Sequence, residues 1–229
     1  MADGRVLGVD ACASGWIGIG LREGEVRPYF AASIVDLVTA ADQHGEVGVI
    51  AVDMPIGLSD EGFRDADLEA RKALGTRRSS IFITPVRAAF DAATHARASE
   101  INRRITGKGI SIQAFALKPK VLEVDQWVRK TGRRVVEVHP ELSFAEMAGR
   151  ALPSKTRWAG VERRRELLEG VGIVLKSDLG EAGEKARVDD VLDAAAAAWT
   201  ARRVAEGRAR CIPESPQSFS DGLTCAIWV

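Results

Sequence analysis

The 229-residue chain is poor in metal-binding soft ligands, with three cysteines and three histidines. Cys12, Cys211 and Cys225 are odd in number and unrelated in spacing, so they offer neither a disulfide framework nor a zinc motif. They fit reduced thiols in a cytosolic compartment. No apolar run approaches the roughly 20 residues needed to span a bilayer. The opening MADGRVLG has no signal-peptide apolar region, so a cytoplasmic protein without a membrane partner is expected. Net charge is lacking too: Lys+Arg and Asp+Glu both number 32, which removes any bulk-charge argument for binding polyanions indiscriminately.

What remains is an ordinary globular composition, 46% hydrophobic and 28% charged, enough for one sizeable core. Two stretches share one pattern. Val6-Leu7-Gly8-Val9-Asp10 and Val47-Gly48-Val49-Ile50-Ala51-Val52-Asp53 are apolar, strand-like runs that each end on an aspartate before a tight loop. Residues 15–21 and Glu25 to Phe30 extend the first run into a meander, and Ser33 can cap a helix through Ile34, Leu37, Val38 and Ala41. Val135 to His139 is a further strand, followed by Pro140 and a helix from Ser143. Charged residues 155–170 predict an exposed helix, and Cys225 to Val229 a short terminal strand. Val188 to Glu206 is an Ala-rich helix, with Val188, Leu192, Ala195 and Trp199 forming a buried stripe within about 60°. Between the strands, residues 59–132 carry mostly helical signals and no flexible linker at either end. They are expected to be a helical insertion within a single domain, 1–229. Strands alternating with helices after a meander predict a mixed α/β sheet covered on both faces.

A charge at the end of a buried strand is costly unless something pairs with it. If the two strands are parallel neighbours, Asp10 and Asp53 emerge at the same sheet edge, where α/β proteins place ligands. Asp190 and Asp193, three apart on the Ala-rich helix, share a face and could join them. The plainer alternatives are a turn-forming Asp10 and an acidic first helical turn favoured by the helix dipole. Clustered carboxylates repel unless a cation intervenes, and an all-oxygen set suits Mg²⁺ or Mn²⁺. Such a site suits phosphoryl chemistry.

The order strand–Asp10, meander, helix, strand–Asp53 and late helix with Asp190-Val-Leu-Asp193-Ala194 resembles the RNase H-like superfamily, nearest its resolvase branch. GVDACASGW, AVDMPIGL, LGTRRSSIF, SIQAFALKPKVLEVD, EVHPELSF and DDVLDAAAAAW together resemble an uncharacterised bacterial and archaeal family of predicted RNase H-like nucleases, from residue 8 to 199. The resemblance implies a five-stranded mixed sheet of order 3-2-1-4-5 with helices on both faces and the insertion between strands 4 and 5. It further implies a metal-dependent nuclease in which Asp10, Asp53 and Asp193 hold Mg²⁺ or Mn²⁺, Asp190 assists, and nucleic acid (DNA or RNA) is the substrate. The Glu carried on the first helix of RNase H proper has no counterpart here beyond Asp36.

Glu137 and His139 alternate along one strand, and the EVHPE run resembles a family motif near the end of the fifth strand, which implies for Glu137 the role of a further catalytic carboxylate or base. His139 is a substrate contact or a structural hydrogen-bonder. Arg77, Arg78, Ser79, Ser80 and Lys120 suit phosphate oxygens, although exposed basic residues are commonly plain surface. Cys12 has no base nearby in sequence, which argues against a nucleophilic thiol. Two other classes stay open: a non-catalytic nucleic-acid-binding or scaffold protein of the same fold, and an actin-like phosphotransferase acting on a small phosphorylated substrate. The second would normally need two duplicated domains. A homodimer is the base-rate expectation for oligomeric state.

Overall fold

The Val- and Gly-rich N-terminal stretch forms an antiparallel meander of β1 (Val6–Cys12), β2 (Gly15–Arg22) and β3 (Glu25–Ala31) in the computed structural model, which describes residues 4–229. Ser33 then caps α1 (Ile34–Asp42), its Oγ accepting the Asp36 N–H at 3.1 Å. β4 (Val49–Val52) runs parallel to β1. There follow α2 (Asp65–Leu74), a 3-10 helix (Gly75–Ser80), α3 (Arg87–Phe90), α4 (His95–Thr106), α5 (Ile112–Ala116) and α6 (Lys118–Thr131). β5 (Val135–Val138) pairs parallel with β4, and α7 (Pro140–Ala148), α8 (Trp158–Gly170), α9 (Glu181–Lys185) and α10 (Val188–Ala205) come next. β6 (Cys211–Ser218) and β7 (Thr224–Trp228) end the chain. Among these described residues no helix is long and apolar enough to cross a membrane.

The chain is a mixed α/β protein. Its strand order is β3-β2-β1-β4-β5-β7-β6, so the sheet has seven strands and not the expected five. β6 escapes sequence reasoning because Pro213 and Pro216 interrupt it, and it stands last in the order, where missing ladder donors are tolerated.

Two compact units divide the residues. Among the described residues the first comprises 4–54, Arg133–Arg210 and Trp228–Val229. Its core lies between α10 and one face of the sheet, with Val6, Val49, Ala51, Val136 and Val138 opposite the run Ala194–Ala198. The run is all alanine because the backbones approach closely: a Cβ on Gly8 would lie 2.0 Å from the Ala198 nitrogen and 2.2 Å from the Ala194 oxygen. Burial on α10 therefore covers every position from Val191 to Ala201 instead of a single stripe, while Val188, expected inside, is 59% exposed. Ser143 of α7 hydrogen-bonds Thr200 of α10 at 2.8 Å.

The second unit comprises Pro55–Gly132 and Cys211–Ile227, and it contains the whole segment 59–132. Small apolar residues Val86, Ala89, Ala92 and Ala98 pack at its centre. Polar ties do much of the rest: Asp221 Oδ2 accepts the Leu58 N–H at 2.8 Å, and fully buried Arg64 donates to Thr84 at 3.2 Å.

Candidate metal centre

The parallel register of β1 and β4 ends at Val9 opposite Val52, and the Asp53 N–H donates to the Val9 carbonyl at 2.9 Å. Asp10 and Asp53 are the next residues along, so they stand side by side at the carboxyl ends of neighbouring parallel strands. Asp10 does not end its strand, however. On the other side it still pairs with Ile17 of β2, and β1 continues to Cys12. Side chains two apart share a face. Gly8 meets the backbone of α10 at Ala194, so Asp10 is directed toward the preceding residue of that helix, Asp193. Carboxylate oxygens of Asp10, Asp53 and Asp193 all lie within 4.8 Å of one another.

Three acidic groups so close, and largely out of water, favour their neutral forms. Asp10 is 8% and Asp193 2% exposed. Burial, then the charges of Asp53 and Asp193, push the Asp10 carboxyl well above the ordinary range. Burial pushes Asp53 up to about 7, against the opposing pull of Lys155 and with a further push from Glu141. Asp193 rises to about 6, mainly through burial, with Lys155 working against the shift. The shared donors are few. Asp10 Oδ1 accepts the Ala11 N–H at 2.8 Å, and Asp193 Oδ1 is buried with no hydrogen-bond partner. Leaving such an oxygen without a partner carries a desolvation cost that a bound cation removes.

Lys155 is the member that sequence reasoning missed. It lies on the loop between α7 and α8, donates from Nζ to Asp193 Oδ2 and stands 3.8 Å from Asp189 Oδ2. Burial works to lower its pKa, but the charge of Asp193, the hydrogen bond to it, and Asp53 and Asp10 together raise it. The loop is built for this placement. Fully buried Arg164 donates to the carbonyls of Pro153 and Gly160, both at 2.9 Å, and to Glu141 Oε1 at 2.7 Å. A Cβ on Gly160 would lie 2.0 Å from the Ser154 carbonyl, so only glycine lets the loop close onto α8. In the sequence Lys155 is one charge in a charged stretch, and nothing local marks it.

The remaining candidates have other surroundings. Asp190 Oδ2 accepts the Arg187 N–H at 3.0 Å and so ties down the start of α10; burial raises its pKa, and it lies outside the group of three. Glu137 is buried at 5% exposure and pairs in register with Val52. Since Val52 and Asp53 point to opposite faces, the register directs Glu137 away from the face that carries Asp53. His139 follows in extended backbone at the start of α7. Arg77, Arg78, Ser79 and Ser80 occupy the 3-10 helix of the second unit, where Arg77 is half-buried, the other three are exposed and the Ser80 hydroxyl donates to the Arg77 carbonyl at 2.7 Å. Lys120 lies on α6 of that unit, 3.8 Å from Glu123.

No curated protein and no solved structure matches the chain. A family model described as protein of unknown function (DUF429) matches residues 8–218, from the glycine that seats α10 on β1 to the last residue of β6. A match over that span makes the chain a member of the DUF429 family.

Proposed function

We propose that this protein is a metal-dependent nuclease of RNase H-like type, hydrolysing phosphodiester bonds with Mg²⁺ or Mn²⁺ held by Asp10, Asp53 and Asp193. The observation that carries this reading is the meeting of three carboxylates within 4.8 Å, from two strands and a helix far apart in sequence. The donor set fits the ion: it is all oxygen, and the Asp193 Oδ1 atom is buried without a partner. Bound there, a divalent ion would supply Lewis acidity toward a phosphoryl oxygen and a more acidic water.

The protein's own residues divide the remaining work. Asp190 fixes the first turn of α10, and Gly8 with the alanine run fixes its height over β1, so that Asp193 reaches the strand ends. Lys155 counters part of the negative charge of the cluster through its bond to Asp193. Arg78, Ser79 and Ser80, exposed on their 3-10 helix, suit phosphate oxygens of a nucleic acid, with Arg77, Lys120 and His139 as further contacts in this proposal. Glu137 receives no ligand role, because its strand face is opposite to that of Asp53.

The test is incubation with Mg²⁺ or Mn²⁺ and a panel of duplex, branched, hybrid and single-stranded substrates, beside Asp10→Asn and Asp193→Asn. Metal-dependent cleavage that both substitutions abolish supports the proposal. Cleavage unchanged in both would place the activity elsewhere. Nucleic-acid binding without cleavage by the wild type would favour the scaffold alternative.

A further inference from the structure

Among the described residues the proposed site brings three carboxylates together with one cationic side chain, and that side chain is anchored with unusual care. Lys155 Nζ bonds one oxygen of Asp193, leaving the other, Oδ1, buried and without a partner. Neighbouring Asp189 is shared between Arg187 at 3.4 Å and Lys155 at 3.8 Å, and Asp190 accepts the Arg187 N–H at the start of α10. The lysine loop is gripped by Arg164 through the Pro153 and Gly160 carbonyls, with Glu141 as the buried counter-charge of that arginine. An exposed lysine reaching a surface acid needs no such scaffold.

We propose that Lys155 takes the place of a second metal ion, so that the centre binds a single divalent cation. This rests on the metal-site reading above. The charge balance argues for it. Asp10, Asp53 and Asp193 carry three negative charges when ionised; Lys155 returns one, and one divalent ion returns the other two. A second divalent ion would leave the pocket with a net positive charge in a poorly hydrated setting, where uncompensated charge is costly. The geometry agrees: the ammonium holds Oδ2 of Asp193, and Oδ1, buried without a partner, is the oxygen open to a metal. Two-ion phosphoryl-transfer sites clamp attacking and leaving oxygens between two cations. Here the second cation is tethered to the chain and cannot be removed by a chelator.

Calorimetric titration of the full chain with Mn²⁺, without substrate, tests this at neutral pH. The wild type should take up one ion per chain. Lys155→Met removes a positive charge next to the ion, and at an effective dielectric near 20 this should tighten binding by about tenfold or more. Lys155→Arg keeps the charge and should keep one ion at an affinity close to wild type. Two ions per wild-type chain, lost in Asp10→Asn, would overturn the lysine proposal and leave the metal site standing. Unchanged or weaker binding in Lys155→Met would overturn it as well, since a lysine that merely braced the loop would give that result. No uptake by the wild type would overturn the metal site and this proposal together. If Lys155→Met fails to fold, the wild-type stoichiometry and the Lys155→Arg variant still decide the matter.

Discussion

Two charge clusters in this molecule are built on opposite plans. In the second unit, Asp125 and Asp221 face Arg87 and Arg129. Arg87 bonds both Asp125 oxygens, at 3.1 and 3.3 Å, and also Asp221, while Arg129 lies 3.2 Å from Asp125 and 4.0 Å from Asp221. Asp221 also accepts the N–H groups of Leu58 and Leu223, at 2.8 and 2.9 Å. Acids and bases are equal in number, and every charge has a matched neighbour. In the first unit, three aspartates share one lysine, and a buried oxygen has no partner at all. In the closed network every carboxylate oxygen of Asp125 and Asp221 accepts a hydrogen bond, although Arg87 Nε is buried without a partner, and the network reads as structural. The open one is left short of positive charge, which is what the proposed cation site requires and a purely structural network does not.

The contrast is broken most severely by neutralising one member of each cluster. Asp10→Asn or Asp193→Asn should lower metal-dependent hydrolysis by about 10³-fold or more, a loss of several kcal/mol of transition-state stabilisation. Asp221→Ala should instead leave Mn²⁺ affinity where it was and lower stability by about 1–3 kcal/mol in urea unfolding, because the Leu58 and Leu223 N–H groups lose their acceptor. A fall in metal affinity with Asp221→Ala, and none with Asp10→Asn, would reverse the assignment of the two clusters.

Next comes pH. The folded-state pKa values of Asp53 and Asp193, about 7 and about 6, lie above the ordinary 3.8, so the folded chain binds more protons than the unfolded one across that window. The stability this contributes is fully present below the ordinary value and is lost as pH rises through the folded values. Metal-free protein should therefore melt at a lower temperature at pH 8 than at pH 5.5. Saturating Mn²⁺ should oppose this loss, because the ion takes over from the protons. Thermal unfolding at the two pH values, with and without metal, checks both signs.

A smaller effect probes how the open cluster is assembled. Gly8→Ala should push α10 off β1 and cost about 1–3 kcal/mol through overpacking, since the added Cβ has backbone, not a flexible side chain, in its way. Mn²⁺ affinity should fall with it as Asp193 withdraws. Ser33→Ala is the control: loss of the α1 cap should cost about 1 kcal/mol in unfolding and leave metal affinity unchanged.

Much of the frame was legible in the chain. Valine-rich runs ending near Asp10 and Asp53, the Ser33 cap and the alanine helix all carry local signals of period or turn chemistry, and each became the expected element. Legibility failed where structure depends on distant partners. β6 carries two prolines and becomes a strand only at the end of the sheet order. Val188 fits the helical stripe by angle yet precedes the turn where α10 meets its neighbours. Glu137 shares its short motif with Glu141, and only the β4–β5 register shows which face it takes. Lys155 is the hardest case, since its position follows from Arg164, Glu141 and Gly160, none of which announces a link to Asp193. The carboxylates could be named from strand ends and helix spacing, whereas their counter-charge could not.

The account is tested most directly by anomalous diffraction from crystals soaked in Mn²⁺. It predicts a metal peak within coordination distance, about 2.0–2.3 Å, of oxygens from Asp10, Asp53 and Asp193 together, including the Asp193 Oδ1 atom. A map without a peak among those three carboxylates, at Mn²⁺ concentrations that support activity, would contradict it.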